Sequence, residues 1–180
     1  MTKETTITEA LAELKTLDSR ISTTEQFILN YAVRQGSTID PLQGDGGSDV
    51  VIPSKLQSLA DLLERKVAIR DAINLKNQHT MVEIAGTSRT VAQWIIWRRE
   101  TFKREITAYQ KLQKKILDSR RQCVEKGLTL KEGEQPTSVQ EVASFIPESE
   151  INKKIEQLRE IESTLDGKLS LINAVTTVII

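Results

Sequence analysis

Leucine and isoleucine recur at three- and four-residue intervals along most of the chain, and the rhythm lapses in two places. Ile7, Leu11, Leu14, Leu17, Ile21, Ile28 and Tyr31 fall on one face of a helix whose other face is polar. The string "TITE" sets Thr6 three residues before Glu9, the pairing in which a threonine caps the helix and a glutamate reaches back to it. A first helix is therefore expected from Thr6 to Arg34, with a possible bend at Thr23 and Thr24. Residues 35–53 are rich in Gly, Asp, Ser and Pro and read as a loop, longer than most helix connections and so either mobile or used in a contact. Its "GDGGSD" run has neither the Gly-Lys-Ser/Thr of a phosphate loop nor the terminal glutamate of a calcium loop.

"PSKLQ" opens the second helix, with Ser54 as its cap and Leu56, Leu59, Leu62, Leu63, Ile69 and Ile73 as its stripe, running to Asn77. Then "TMVEI" alternates as a half-buried strand does, and "AGTS" supplies a turn in which Gly86 can take a positive φ. The third helix is the longest, from Val91, capped by Thr90, to Lys126, and Gly127 stops it. At about 1.5 Å per residue it reaches roughly 55 Å. Residues 127–147 form a second connector. After Pro147 a fourth helix carries Ile151, Ile155, Leu158, Ile161 or Glu162, Leu165, Leu169 and Ile172, a heptad-like seam in which Gly167 is the weak point.

The chain repeats itself. Shifted by 96 residues, "NQHTMVEI" (Asn77–Ile84) meets "NAVTTVII" (Asn173–Ile180), and Leu59, Leu62, Ile69 and Ile73 meet Ile155, Leu158, Leu165 and Leu169. Helices two and four thus read as equivalent elements, each leaving into a short strand. The simplest closure pairs the two strands with each other, in a two-stranded ribbon of residues 80–84 and 176–180. A lone ribbon is marginal in water and a Val-Ile-Ile edge needs cover, so helix ends or a neighbouring subunit must protect it. The fold expected is mainly α: a single elongated domain of four antiparallel long helices in a bundle or coiled coil, with that one small ribbon.

Charge refines this picture. The 180-residue chain has 25 basic and 25 acidic residues and only 4% aromatics. A general binder of nucleic acid or of acidic membranes is normally basic, so neither is expected as a partner. The charge is segregated, however: residues 90–126 carry ten Lys/Arg against four acids, and residues 127–166 four Lys/Arg against nine acids. That favours antiparallel pairing of the third and fourth helices. Each exposed ion pair contributes only about 0–1 kcal/mol, so it selects register, while each fully buried Leu or Ile contributes roughly 1.5–3 kcal/mol.

Chemistry is sparse. A single Cys123 allows no intrachain disulfide, and a single His79 at a helix–strand junction supports neither a familiar zinc site nor a nucleophile–base pair. No catalytic residue, metal ligand, cofactor or small-molecule substrate is expected. No run approaches the roughly 20 apolar residues of a membrane-spanning helix, and the first residues lack a signal-peptide core, so a soluble protein of a reducing cytoplasm is expected. The most distinctive stretch is "WIIWRRETFKRE": Trp94 and Trp97 lie three apart on one face, followed by Arg98 and Arg99. Trp and Arg are frequent interface anchors, although the tryptophans could equally pack under the ribbon while the bases face the acidic helix. Trp94, Trp97, Arg98, Arg99, Val178 and Ile180 are the candidate interaction residues.

Three segments, "TITEALAELKTLDSRI", "NQHTMVEIAGTSRTVAQWI" and "IEQLREIESTLDGKLSLINAVTTVII", give an order of elements that resembles the septicolysin-like family of small helical proteins and kindred virion structural proteins of tailed bacteriophages. The resemblance covers nearly the whole chain as a pattern and brings no catalytic residue with it. It implies a multi-copy capsid, neck or tail component whose partners are itself or other virion proteins, located in the virion or, before assembly, in the host cytoplasm. The alternative it implies is a membrane-active, septicolysin-like protein.

Overall fold

The computed structural model describes residues 4–36 and 38–180. Met1–Lys3 and Ser37, the latter within the expected 35–53 connector, lie outside the described residues. The elements are β1 (Glu4–Thr6), α1 (Ile7–Tyr31), α2 (Ser48–His79), β2 (Met81–Ile84), β3 (Thr87–Thr90), α3 (Val91–Ile96), a π turn (Trp97–Thr101), α4 (Phe102–Lys126), β4 (Thr129–Glu132), β5 (Glu141–Ser144), α5 (Glu148–Val175) and β6 (Thr177–Ile179). The protein is mainly α, as its periodicity predicts. It divides into two compact units, Met1–Asn77 with Ser170–Ile180, and Gln78–Leu169.

In the first unit α1 and α2 pack through Ile7, Leu14, Leu17 and Ile21 against Leu62, Ile69 and Ile73, with Val178 of β6 in the same core. Thr6 and Glu9 make the expected capping box. Arg65 and Lys66 of α2 pair with Glu13 and Asp18 of α1. The second helix starts six residues earlier than the Ser54 cap expected from "PSKLQ". Asp40 is the reason. Its carboxylate accepts the Ser48 amide (2.8 Å), the Ser48 hydroxyl (2.6 Å) and the Leu42 amide (2.9 Å), and it sits at a pKa of about 2 chiefly because of the Ser48 hydroxyl. Gly46 and Gly47 take φ of 101° and 93° to turn the chain into the helix, and Pro53 is accommodated near its beginning.

In the second unit α4 and α5 run antiparallel, as the charge segregation predicts. Arg98 forks onto Asp166 at one end, Gln113 bonds Asn152 (2.7 Å) midway, and Arg120 holds Glu148 at the other end. Ile116, Ile151 and Ile155 pack between them. Gly127 ends α4 at φ 65°, with the Leu128 amide bonded back to the Cys123 carbonyl (2.8 Å). The connector 127–147 contains a parallel pair, β4 and β5, in the register Thr129↔Glu141 to Glu132↔Ser144. Lys131 bridges that pair to Glu141 (3.0 Å).

The expected ribbon of 80–84 with 176–180 does not form. β2 pairs with β3, and β6 pairs with β1, both antiparallel. Ala85 and Gly86, both at positive φ (47° and 73°), make the two-residue turn of the β2–β3 hairpin. The repeat itself is nonetheless upheld by the registers. Thr6 faces Thr177 and the Ile7 amide bonds the Thr176 carbonyl (2.9 Å). Thr90 faces Met81 and the Val91 amide bonds the Thr80 carbonyl (2.9 Å), the same contacts with one partner 96 residues earlier and the other 84 residues later. Thr90 and Gln93 form a capping box like that of Thr6 and Glu9. Val82 and Val178 are both buried beneath their ribbons, as are Ile7 and Val91. Beyond the π turn the best alignment shifts by one residue, setting Leu17 against Phe102 and Ile21 against Ile106; one inserted residue is what a π turn accommodates. The chain is thus two halves on a β-α-α-β plan, β1 to β2 and β3 to β6, the second with its first helix interrupted by the π turn and with β4 and β5 inserted in its connector; the closing strand of each half pairs with the opening strand of the other.

Candidate interaction interface

The sequence-predicted residues divide between the interior and the surface. Trp94 is fully buried, and Trp97 nearly so, which corrects their reading as surface anchors. The rings meet edge to face at 5.4 Å, and the Trp94 indole N–H donates to the Val82 carbonyl (3.0 Å), holding β2 onto the helix. The Trp97 indole N–H donates to Glu105, whose carboxylate also meets Lys154. The Arg89 guanidinium lies over both rings, 4.9 Å and 5.7 Å from their centroids, a cation–π arrangement. This is the alternative the spacing allowed: tryptophans under the ribbon, bases toward the acidic helix. Arg98 is engaged with Asp166, while Arg99 is exposed. Val178 is buried and Ile180 packs against the first unit's core, so neither offers a free surface.

His79 is exposed at the end of α2, and Cys123 is buried. Among the described residues no group of His, Cys, Asp and Glu is placed to hold a metal ion, and no helix is long and apolar enough to cross a membrane. The first unit carries an open groove of about 690 Å³ lined by Leu11, Leu14, Lys15, Arg70 and Asn173 among others. The second carries one of about 270 Å³ where Leu112, Ile116, Phe145 and Ile146 meet.

Apolar side chains left outside are more informative. On α2, Leu56, Leu63 and Val67 are exposed at heptad-like spacing beside the buried seam. On α4, Leu117 and Val124 are exposed seven residues apart, with Lys114 and Arg121 on the same flank. On α5 and β6, Leu171, Val175 and Ile179 are 69%, 78% and 67% exposed, four residues apart. Of these, the expected seam of the second helix included Leu56 and Leu63, which the observed packing leaves open. These stripes are left uncovered within the chain.

No family model matches the chain, and no curated protein does. Its fold is similar to the crystal structure of a functionally unknown conserved protein from Corynebacterium diphtheriae, with 20% identity over 98% of this chain and 99% of that one and a TM-score of 0.55. The mainly-α architecture is therefore shared along essentially the whole length of both chains.

Proposed function

We propose that this protein is a structural assembly component, present in many copies in a larger particle, that acts by helix-face and strand-edge contacts rather than by turning over a substrate. The observation that carries this reading is the set of uncovered apolar stripes on α2, α4 and the α5–β6 junction, beside seams of the same spacing that are already buried. An apolar face of that kind on a long helix gains stability only when a second surface covers it. The resemblance to tailed-bacteriophage virion proteins makes a phage particle the setting in which such copies would meet, with itself or other virion proteins as partners. The test is mass in solution by light scattering across a dilution series. The wild-type protein should exceed its 20.3 kDa monomer mass, and Leu63→Glu with Val67→Glu should lower that mass while helix content is kept. A monomer at every concentration would refute the reading. Dye release from liposomes by the monomer would support the membrane-active alternative instead.

A further inference from the structure

The two halves keep one corner of their common plan and change its charge. The first half opens with Glu4 and Thr5 on β1, then Glu9, Ala10 and Glu13 on α1. At the same positions 84 residues on stand Ser88 and Arg89 of β3, then Gln93, Trp94 and Trp97. Three carboxylates are gone and one guanidinium has come in. The change at the cap is the most specific. Gln93 accepts the Thr90 amide (2.9 Å) as Glu9 accepts the Thr6 amide (2.9 Å), so the capping box is kept and only its charge is lost. The second corner also gains the π turn, in which the Thr101 hydroxyl donates to the Trp97 carbonyl (3.0 Å).

An open groove of about 590 Å³ lies at this corner, within the second unit, lined among others by Ser88, Arg89, Gln93, Ile96 and Trp97. That is the size of a small-molecule site. Its donors lack acceptors. Arg89 is half-buried, held over both indole rings, and no carboxylate among the described residues pairs with it. Gln93 commits its carbonyl oxygen to the Thr90 amide, which leaves its NH2 group to donate, and Ser88 adds a hydroxyl. The one carboxylate lining the groove, Glu105, is taken up by the Trp97 indole N–H (3.3 Å) and by Lys154 (3.5 Å). A guanidinium seated on ring faces is already oriented, and its fork matches a carboxylate in two parallel hydrogen bonds.

We propose that this groove binds a small organic monocarboxylate, with the carboxylate on the Arg89 fork and the hydrocarbon part against Ile96. One guanidinium balances one negative charge. A doubly charged phosphate would keep a surplus negative charge beside Glu105, so the carboxylate is the oxyanion that fits. Ile96 is 51% exposed and supplies the apolar surface that the rest of the ligand covers. Binding here is separate from the assembly reading: it uses none of the uncovered stripes on α2, α4 or the α5–β6 junction.

Trp94 and Trp97 are the only tryptophans in the chain, so fluorescence and the two indole N–H signals in nitrogen-15 spectra report from this corner alone. Titration of the full chain with hexanoate should shift both readouts to saturation. Acetate, which lacks the hydrocarbon, should bind about fourfold or more weakly. Hexylamine and inorganic phosphate should give no saturable change. Arg89→Lys keeps a cation without the fork and should weaken hexanoate about tenfold. Gln93→Glu installs the glutamate that the first half carries at this position, so the cap and the helix content by circular dichroism should be kept while hexanoate binding falls about tenfold or more. A response that only grows in proportion to hexanoate, phosphate binding as tightly as hexanoate, or a folded Gln93→Glu variant that binds like the wild type overturns the site.

Discussion

Trp94 offers the sharpest test of how the second unit holds its ribbon. The indole is fully buried, and its N–H is the group that meets the Val82 carbonyl. Truncation to alanine removes the largest fully buried side chain among the described residues and should cost about 3–5 kcal/mol. Phenylalanine keeps most of the ring but removes the indole hydrogen bond to the Val82 carbonyl, for about 0.5–1.5 kcal/mol. Alanine is what the first unit carries at the equivalent position, Ala10, also fully buried, so the loss comes from a cavity and a lost hydrogen bond and not from any requirement of the helix itself. Urea unfolding followed by circular dichroism gives the totals, and native-state hydrogen exchange locates them. Exchange should accelerate among residues 78–169, first in β2 and β3. The reasoning fails if the phenylalanine variant is neutral within about 0.5 kcal/mol, or if the alanine variant loses no more than the phenylalanine one.

Other perturbations probe separate parts of the account. Thr6→Ala and Thr90→Ala each remove one capping box and should each cost about 1 kcal/mol by urea unfolding, since the two caps are built alike. Gly167 lies within α5, and a Cβ there meets nothing within 4 Å, so Gly167→Ala should stabilise the protein by about 1 kcal/mol and raise its midpoint. The Asp40 carboxyl titrates at about 2 in the folded protein against an ordinary 3.8. Its contribution is thus present above the ordinary value and fades as pH falls through about 2. Carbon-13 titration of that carboxyl should show the low midpoint, and Asp40→Asn should speed exchange of the Ser48–Val51 amides at neutral pH.

The helices were legible because each buries one stripe long enough for its period to show. α1, α4 and α5 lie where Ile7–Ile21, Ile106–Ile116 and Ile151–Leu165 place them, and the acid–base segregation set the α4–α5 direction. The strands were harder, since three or four residues are too few for an alternation to stand out. "ETT" and "TSRT" are polar runs just before a capping threonine, so they read as helix approaches; each gains its identity from a distant or adjacent partner. The equivalence of the two Asn-x-x-Thr phrases was visible at an offset of 96, but likeness was mistaken for partnership. Two copies of one strand need not pair with each other; here each pairs with the strand that opens the other half. Of the candidate site, Trp94 and Trp97 were correctly placed on one face, yet spacing alone does not tell a buried face from an exposed one. The early start of α2 depends on Asp40 folding back across eight residues, a contact no local pattern announces.

The claim that the chain is two like halves joined by two like ribbons is tested most directly by moving the break from one ribbon to the other. A permuted chain begins at Gly86, runs to Ile180, passes through a short glycine–serine linker to Met1 and ends at Ala85. It unties β2 from β3 and ties β6 to β1. The account predicts wild-type helix content by circular dichroism and a cooperative urea transition within about 2 kcal/mol of the wild-type value, since the two joints exchange roles without losing a strand pair. A permuted chain that fails to fold, or that melts without cooperativity, would contradict it.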